Sequence, residues 1–282
     1  MHALITGGSS GIGKALAQKL AAEGYDVSLI ARRKDVLAEA AGDIEQYRRD
    51  PSQRVAFYAA DVADRHQAEA AVKAAIAKLG APDMLIASAG ISEPGYFSDL
   101  APEIFERAMN VNYLGTLYVV RAALASMRAR RKGRIVFISS GAALMGVFGY
   151  SAYGPSKFAV RGLAESLRAE LKADKIAVSI AYPPDTETPM LDAERLTMPA
   201  ETRAICALAP AWTAGAVAEC ILDGIAQNRF AITPGSTLTA MNRLPGLVIP
   251  LLRWYCDRLV KSVRGDALKA SGFETQLRKL PG

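Results

Sequence analysis

Six short apolar runs, most followed by an amphipathic stretch long enough for a helix, constrain this chain more than any other feature. The runs are "ALIT" (3–6), "VSLIA" (27–31), "VAFYAA" (55–60), "MLIAS" (84–88), "RIVFIS" (134–139) and "AVSIAY" (177–182). They do not alternate apolar with polar residues, so they read as strands buried on both faces. Helical patterns cover 12–23, 34–49, 64–79, 103–130 and 153–173. Strands alternating with helices predict an α/β fold, a doubly wound parallel sheet with helices on both faces. After Tyr182 the rhythm breaks, and 183–211 reads as an irregular excursion. A helix over 213–227 with Thr213 as N-cap and a last strand over 229–233 follow.

Apolar residues make up 51 % of the chain and charged residues 22 %, which suits a globular protein with a sizeable core. Cys206, Cys220 and Cys256 stand at no metal-ligand or redox spacing, so they read as packing residues in a reducing compartment. His2 and His66 lie far apart, which argues against a histidine-based triad or a zinc site. The first strand starts at once, so no signal or transit peptide and a cytoplasmic location are expected. No apolar run reaches the ~20 residues of a spanning helix.

"TGGSSGIGKA" (6–15) joins the first strand to the first helix. Gly7, Gly11 and Gly13 allow a sharp turn and let a phosphate approach the free N–H groups of the helix start. Gly8 to Lys14 also spells the beginning of an NTPase phosphate loop. That reading needs Ser or Thr next, to hold magnesium, and the chain has Ala15. At the end of the second strand, an acidic residue would bond the ribose 2′-hydroxyl of NAD. Here stand Arg32, Arg33 and Lys34. Basic residues are unfavourable at a helix N-terminus unless an anion joins them. They therefore predict NADPH (NADP+), its 2′-phosphate held by Arg32 more than by Arg33.

Tyr153 and Lys157 are four residues apart and share one helix face. Pro155 suits the first turn of that helix. An ammonium beside a phenol favours the phenolate, and a tyrosine so tuned can pass a proton to a ketone oxygen. Ser140 precedes Tyr153 by thirteen residues.

With "TGGSSGIG", Asp61 in "ADVAD", "SAG" (88–90), "NVNYLG", Ser140 and Tyr153-x-x-x-Lys157 in order, the chain resembles the short-chain dehydrogenases/reductases over about 1–235. The resemblance implies a Rossmann-type sheet of about seven strands. It implies a catalytic tetrad of Asn112, Ser140, Tyr153 and Lys157. Tyr153 would be the acid of reduction, Ser140 a donor to the carbonyl oxygen, and Lys157 the ribose contact that lowers the tyrosine. Asn112 would hold a water in the proton relay. Cofactor contacts would come from Gly7, Ser9, Ser10, Gly11, Ile12 and Gly13 in the loop. Asp61 and Val62 would sit by the adenine, with Ala89 and Gly90 beyond. Pro183, Thr186 and Thr188 would close the nicotinamide end, and Thr188 would bond the carboxamide. Two departures stand out. Ala87-Ser88 replaces a usual pair of asparagines, and Pro183-Pro184 replaces a usual Pro-Gly.

"VSIAYPPDTETPM" (178–190), with "ETRAI" (201–205), is similar to the 3-ketodihydrosphingosine reductases within that family. That implies NADPH-dependent reduction of the 3-ketone of a long-chain amino alcohol under a lid over 188–211. Met190, Leu191, Leu196, Met198, Ile205 and Leu208 in the lid suit an alkyl chain. One of Asp185 and Glu187 is expected to pair with the substrate ammonium. Steroid, fatty acyl or other lipid-like ketones and alcohols are the alternatives. A non-catalytic NADP-binding sensor is the alternative of another class, but it would not need the tetrad.

Of the net charge of +6, +5 resides in the tail: from Met241 to Gly282 there are eight Lys/Arg against three Asp/Glu. "RLPGLVIPLLRWYCDRLVKSVRG" (243–265) places aromatic and basic residues beside an apolar patch too short to span a bilayer. A C-terminal extension over 236–282 is thus expected to make peripheral membrane contact or to pack on protein. No element resembles a nucleic-acid reading helix or sheet. The family's habit of pairing the helices over 103–130 and 153–173 implies a homo-oligomer, dimer or tetramer.

Overall fold

The computed structural model describes residues 1–270. Seven parallel strands form one sheet in the order β3-β2-β1-β4-β5-β6-β9. They are β1 (His2–Thr6), β2 (Asp26–Ala31), β3 (Val55–Ala59), β4 (Met84–Ala87), β5 (Gly133–Ile138), β6 (Ile176–Ala181) and β9 (Ala231–Ile232). One core packs between the sheet and α3 (Arg65–Leu79), α5 (Gly115–Arg130) and α6 (Tyr153–Glu170). The other packs α1 (Gly11–Ala22), α2 (Lys34–Glu45) and α9 (Ala214–Ala226) on the opposite face. Thr213 caps α9 as expected, its hydroxyl accepting from the Ala216 N–H.

Every residue of β1 and β4 is buried, as continuous apolar runs require. β3 departs from the expectation of burial on both faces. It is the edge strand, and Phe57 and Ala59 face solvent.

Three further elements differ from the sequence reading. The helix expected over 103–130 is α4 (Pro102–Ala108), a π-turn (Met109–Leu114) and α5. A π-turn adds a residue to the helical circuit, and such turns gather at functional sites; this one contains Asn112. The excursion over 183–211 is ordered into β7 (Thr186–Glu187), α7 (Pro189–Thr197) and α8 (Ala200–Cys206), and β7 pairs with β8 (Trp212–Thr213). Proline at N1 of α7 and the Thr188 cap explain why a proline-rich stretch is helical. The tail forms α10 (Ser236–Arg243) and α11 (Pro245–Ala270). Residues 271–282 of the expected extension lie outside the described residues.

The strand order reverses between β1 and β4, which opens a crevice at their carboxyl ends. Thr6 Oγ1 pins this point, accepting 3.1 Å hydrogen bonds from the N–H groups of both Ser88 and Ala89. The first turn is equally tight. A Cβ on Gly13 would lie 2.4 Å from the Gly7 carbonyl oxygen, and Gly7 itself has φ +68°. Gly13→Ala is therefore expected to cost about 2 kcal/mol, the scale of overpacking strain. Thermal unfolding should show a Tm lower by several degrees; an unchanged Tm would contradict the close approach.

Candidate active site

A cleft of about 860 Å³ runs along the carboxyl edge of the sheet, beneath α7 and α8. Its first end is the glycine loop. Ser10 is the extended N-cap of α1 without a side-chain cap bond, and the first turn of α1 carries no acid. The helix start thus offers unsatisfied N–H groups to an anion. Ser9, Gly11 and Ile12 line the cleft here. Arg32 and Arg33, at the end of β2, also line it, and both are exposed. Neither forms an ion pair among the described residues. Asp61 and buried Val62 follow β3, and the Asp61 carboxylate accepts from the Ala63 N–H. A helix start open to an anion and two guanidiniums without an ion pair among the described residues fit the phosphates of a dinucleotide.

The centre of the cleft is built by β5 and α6. Ser140 leaves β5 and caps a short turn, its Oγ accepting from the Ala142 N–H at 3.1 Å. It also hydrogen-bonds the Tyr153 phenol. Lys157, only 5 % exposed, donates to the Ile138 carbonyl at 3.1 Å and lies 5.6 Å from the Tyr153 ring centroid. Gly90 makes room for this arrangement: a Cβ there would sit 3.2 Å from both Lys157 Nζ and Asn112 Oδ1. Asn112 is fully buried. Its side chain accepts from the Ile91 N–H and donates to the Ile91 carbonyl and to Ser156 Oγ. It therefore ties the π-turn to the loop after β4 and to α6.

Burial dominates the electrostatics. It pushes the Tyr153 phenol above the ordinary tyrosine range. The Ser140 hydrogen bond opposes that shift, while the charges of Glu194 and Asp185 add to it. Burial pushes the Lys157 ammonium down to about 8. The sequence predicts that Lys157 lowers the phenol; in the structure the groups that act on it are Ser140, Glu194 and Asp185, and desolvation prevails. Tyr153 therefore carries its proton at neutral pH.

The far end of the cleft is formed by the turn after β6. The Pro183 carbonyl accepts from the Gly141 N–H, Thr186 Oγ1 donates to the Pro184 carbonyl, and Thr188 caps α7. Thr188 also touches the glycine loop, since a Cβ on Gly11 would lie 2.9 Å from its Cγ2. Asp185 lines the cleft, whereas Glu187 is exposed and lies outside its lining. Of the expected apolar lid residues, Met190, Leu191, Ile205 and Leu208 line the cleft. Leu196 is 86 % exposed and Met198 is buried elsewhere.

Sequence reasoning missed Tyr150 and Glu194, which join through a 2.6 Å hydrogen bond in the cleft wall. A signal for Glu194 was present. It falls on the stripe of Leu191 and Met198 at helical spacing, an acid on an apolar face. It also missed the tail's share of the wall, Leu238, Met241, Leu252 and Cys256. Cys206 lies beside Asp185; burial and that carboxylate push its thiol up to about 12.

Comparisons place this geometry among known proteins. The family described as short chain dehydrogenase matches residues 1–199. A 3-ketodihydrosphingosine reductase of Bos taurus is 44 % identical over 236 residues, 83 % of this chain and 71 % of that protein. One from Dictyostelium discoideum is 39 % identical over 99 % of this chain and 91 % of its own. Among solved structures, an actinorhodin polyketide ketoreductase with NADPH superposes with a TM-score of 0.75 at 27 % identity, covering 84 % of this chain and 96 % of that one. A Burkholderia phymatum short-chain dehydrogenase in complex with NAD gives 0.77 at 25 %, covering 89 % and 94 %.

The low value at Lys157 sets a pH dependence. The side chain is a cation below about 8 and neutral above it. Binding of a nicotinamide dinucleotide, followed by fluorescence, should weaken by about tenfold as pH rises from 7 to 9, one unit of charge interaction. Lys157→Met should flatten the curve. A flat profile in the unaltered protein would exclude the lysine charge from binding.

Proposed function

The chain belongs to the short-chain dehydrogenase family, and from that premise we propose that it reduces 3-ketodihydrosphingosine, a long-chain amino ketone, with NADPH. As a member it is an oxidoreductase acting on a keto or hydroxyl group. The observation that carries the substrate reading is the continuity of the cleft. The Tyr153–Ser140 pair opens directly into an apolar chamber walled by the lid and by α11. The names of the relatives agree with a lipid ketone of this kind.

When bound, the nicotinamide supplies the hydride. Tyr153 gives the phenol proton to the carbonyl oxygen, and the Ser140 hydroxyl steadies that oxygen as charge develops on it. Lys157 places its ammonium behind Tyr153, where it binds ribose and favours the phenolate left after transfer. Asn112 holds the π-turn in register with α6 and positions the relay. Arg32 and Arg33 select NADPH through the 2′-phosphate, which a guanidinium binds at two oxygens.

The tail supports delivery from a lipid surface. Leu247, Leu251 and Trp254 are 74 %, 65 % and 55 % exposed on α11, while Leu252 and Cys256 on its inner side line the cleft. Arg258 stacks 5.0 Å over Trp254, and Arg253 and Lys261 flank it. Among the described residues no helix is long and apolar enough to cross a membrane. The reading is therefore an interfacial helix that meets anionic headgroups and lets an alkyl chain pass into the cleft.

Two measurements test this. With 3-ketodihydrosphingosine in micelles, NADPH oxidation should exceed NADH oxidation, and Tyr153→Phe should lower kcat by about a hundredfold or more. Arg32→Ala with Arg33→Ala should raise KM for NADPH and leave that for NADH within about twofold. No turnover with bound NADPH would remove the substrate. Sedimentation with anionic vesicles should be strong at low salt and weak at high salt. The triple change Leu247→Ser, Leu251→Ser, Trp254→Ser should abolish it. Unaltered sedimentation would exclude α11 as the contact.

A further inference from the structure

Glu194 is an unusual residue for a cleft wall. It is 7 % exposed, and its carboxylate Oε2 accepts from the Tyr150 hydroxyl at 2.6 Å, with the Ser92 hydroxyl close by. The Asp185 carboxylate lies near enough for its charge to act on Glu194, and it meets only the Cys206 thiol. Neither acid forms an ion pair with Lys or Arg among the described residues. Beside Glu194, Ser92 Oγ is buried and meets hydrogen-bond geometry to no group. All three residues line the cleft. A buried acid beside a half-buried one, with no counter-cation among the described residues, is costly to ionise unless a cation arrives with the ligand.

Their position relative to the chemistry is fixed by Tyr150. Its ring centroid lies 5.6 Å from that of Tyr153, so the Glu194 carboxylate stands about one tyrosine from the proton donor. In a 2-amino-3-ketone the ammonium is on the carbon next to the carbonyl. A group that binds it must lie beside the proton donor, as this one does. An ammonium has three N–H donors. The Glu194 carboxylate, the Asp185 carboxylate and Ser92 Oγ offer acceptors for them on this wall.

We propose that Glu194, oriented by Tyr150 and seconded by Asp185 and Ser92, receives the substrate ammonium and makes the enzyme specific for 2-amino ketones. The inference rests on the substrate reading above. A neutral ketone would leave the buried Glu194 carboxylate and the nearby Asp185 without a cation, and a site with unpaired polar groups rejects the analogue that lacks the partner. Tyr150 acts as a positioning residue.

The test compares 3-ketodihydrosphingosine with the same long-chain 1-hydroxy-3-ketone lacking the amino group. Glu194→Gln should raise KM for the amino ketone about tenfold or more and raise, not lower, kcat/KM for the neutral ketone. Equal losses on both, or no loss on the amino ketone, would overturn the proposal. A second arm needs no variant. With the unaltered enzyme, dodecylamine should inhibit about tenfold better than dodecanol, and equal inhibition overturns the ammonium site. If the unaltered enzyme reduces the neutral ketone as well as the amino ketone, the site falls while the lipid-ketone reading stands. If it reduces neither, the substrate reading falls, and direct binding of dodecylamine against dodecanol, followed by intrinsic fluorescence, decides the site: about tenfold tighter amine binding supports it and equal binding overturns it.

Discussion

A parallel sheet covered by helices on both faces has only the ends of its strands left for chemistry. That restriction organises this molecule. The backbone groups of β1 and β4 are satisfied by neighbouring strands, and their side chains are consumed by two cores. Where the strand order reverses, two connections leave in opposite directions and a crevice opens between them. Thr6 holds the gap at fixed width by bonding both N–H groups that follow β4. The glycine loop, Arg32, Asp61, Ser140 and Pro183 all follow strand ends, so a single edge assembles residues from across the first two-thirds of the chain.

The reacting centre uses burial as its main lever. Lys157 keeps one carbonyl partner and no carboxylate, so its charge is held weakly and is available to a ligand. Tyr153 is kept protonated by the same dryness, with Ser140 pulling the other way. A phenol that is loaded before substrate arrives and eased toward phenolate as charge develops is suited to giving up a proton. The π-turn at Asn112 belongs to this arrangement. An ordinary helix would set that amide elsewhere, and Ile91 and Ser156 would lose the partner that joins them.

The sequence made the sheet legible because each strand is a local run, and the glycine loop because its spacing is local. The tetrad was legible through order along the chain. β3 was not read as an exposed edge, since "VAFYAA" is as apolar as a central strand and its neighbours are fixed only by topology. The lid was not read as helical because Pro189 and Pro199 suggest breaks, whereas both sit where a helix begins. Tyr150 and Glu194 meet across 44 residues, and no local pattern reports such a pairing. Nor does charge counting show that α11 turns one side inward to the cleft.

The lid carries two nearly buried carboxylates, and their contrast separates framework from site. Glu201, 3 % exposed, meets the Arg264 guanidinium at 2.9 Å and the Tyr96 hydroxyl at 2.8 Å. Burial works against its charge, but Arg264 and Tyr96 outweigh it and hold the carboxyl below the usual range. Arg264 also lies over the Phe148 ring, so α11, α8 and the loop before α6 are fastened together. Glu194 has a phenol and no cation, and burial pushes its carboxyl up. The same short lid thus contains an acid whose charge is fully answered from within the protein and another whose charge is not. Burial alone would have favoured leucine at the second position. Retaining a carboxylate there, oriented by a tyrosine in the cleft wall, leaves an electrostatic demand that a proton or a cation entering the cleft can meet.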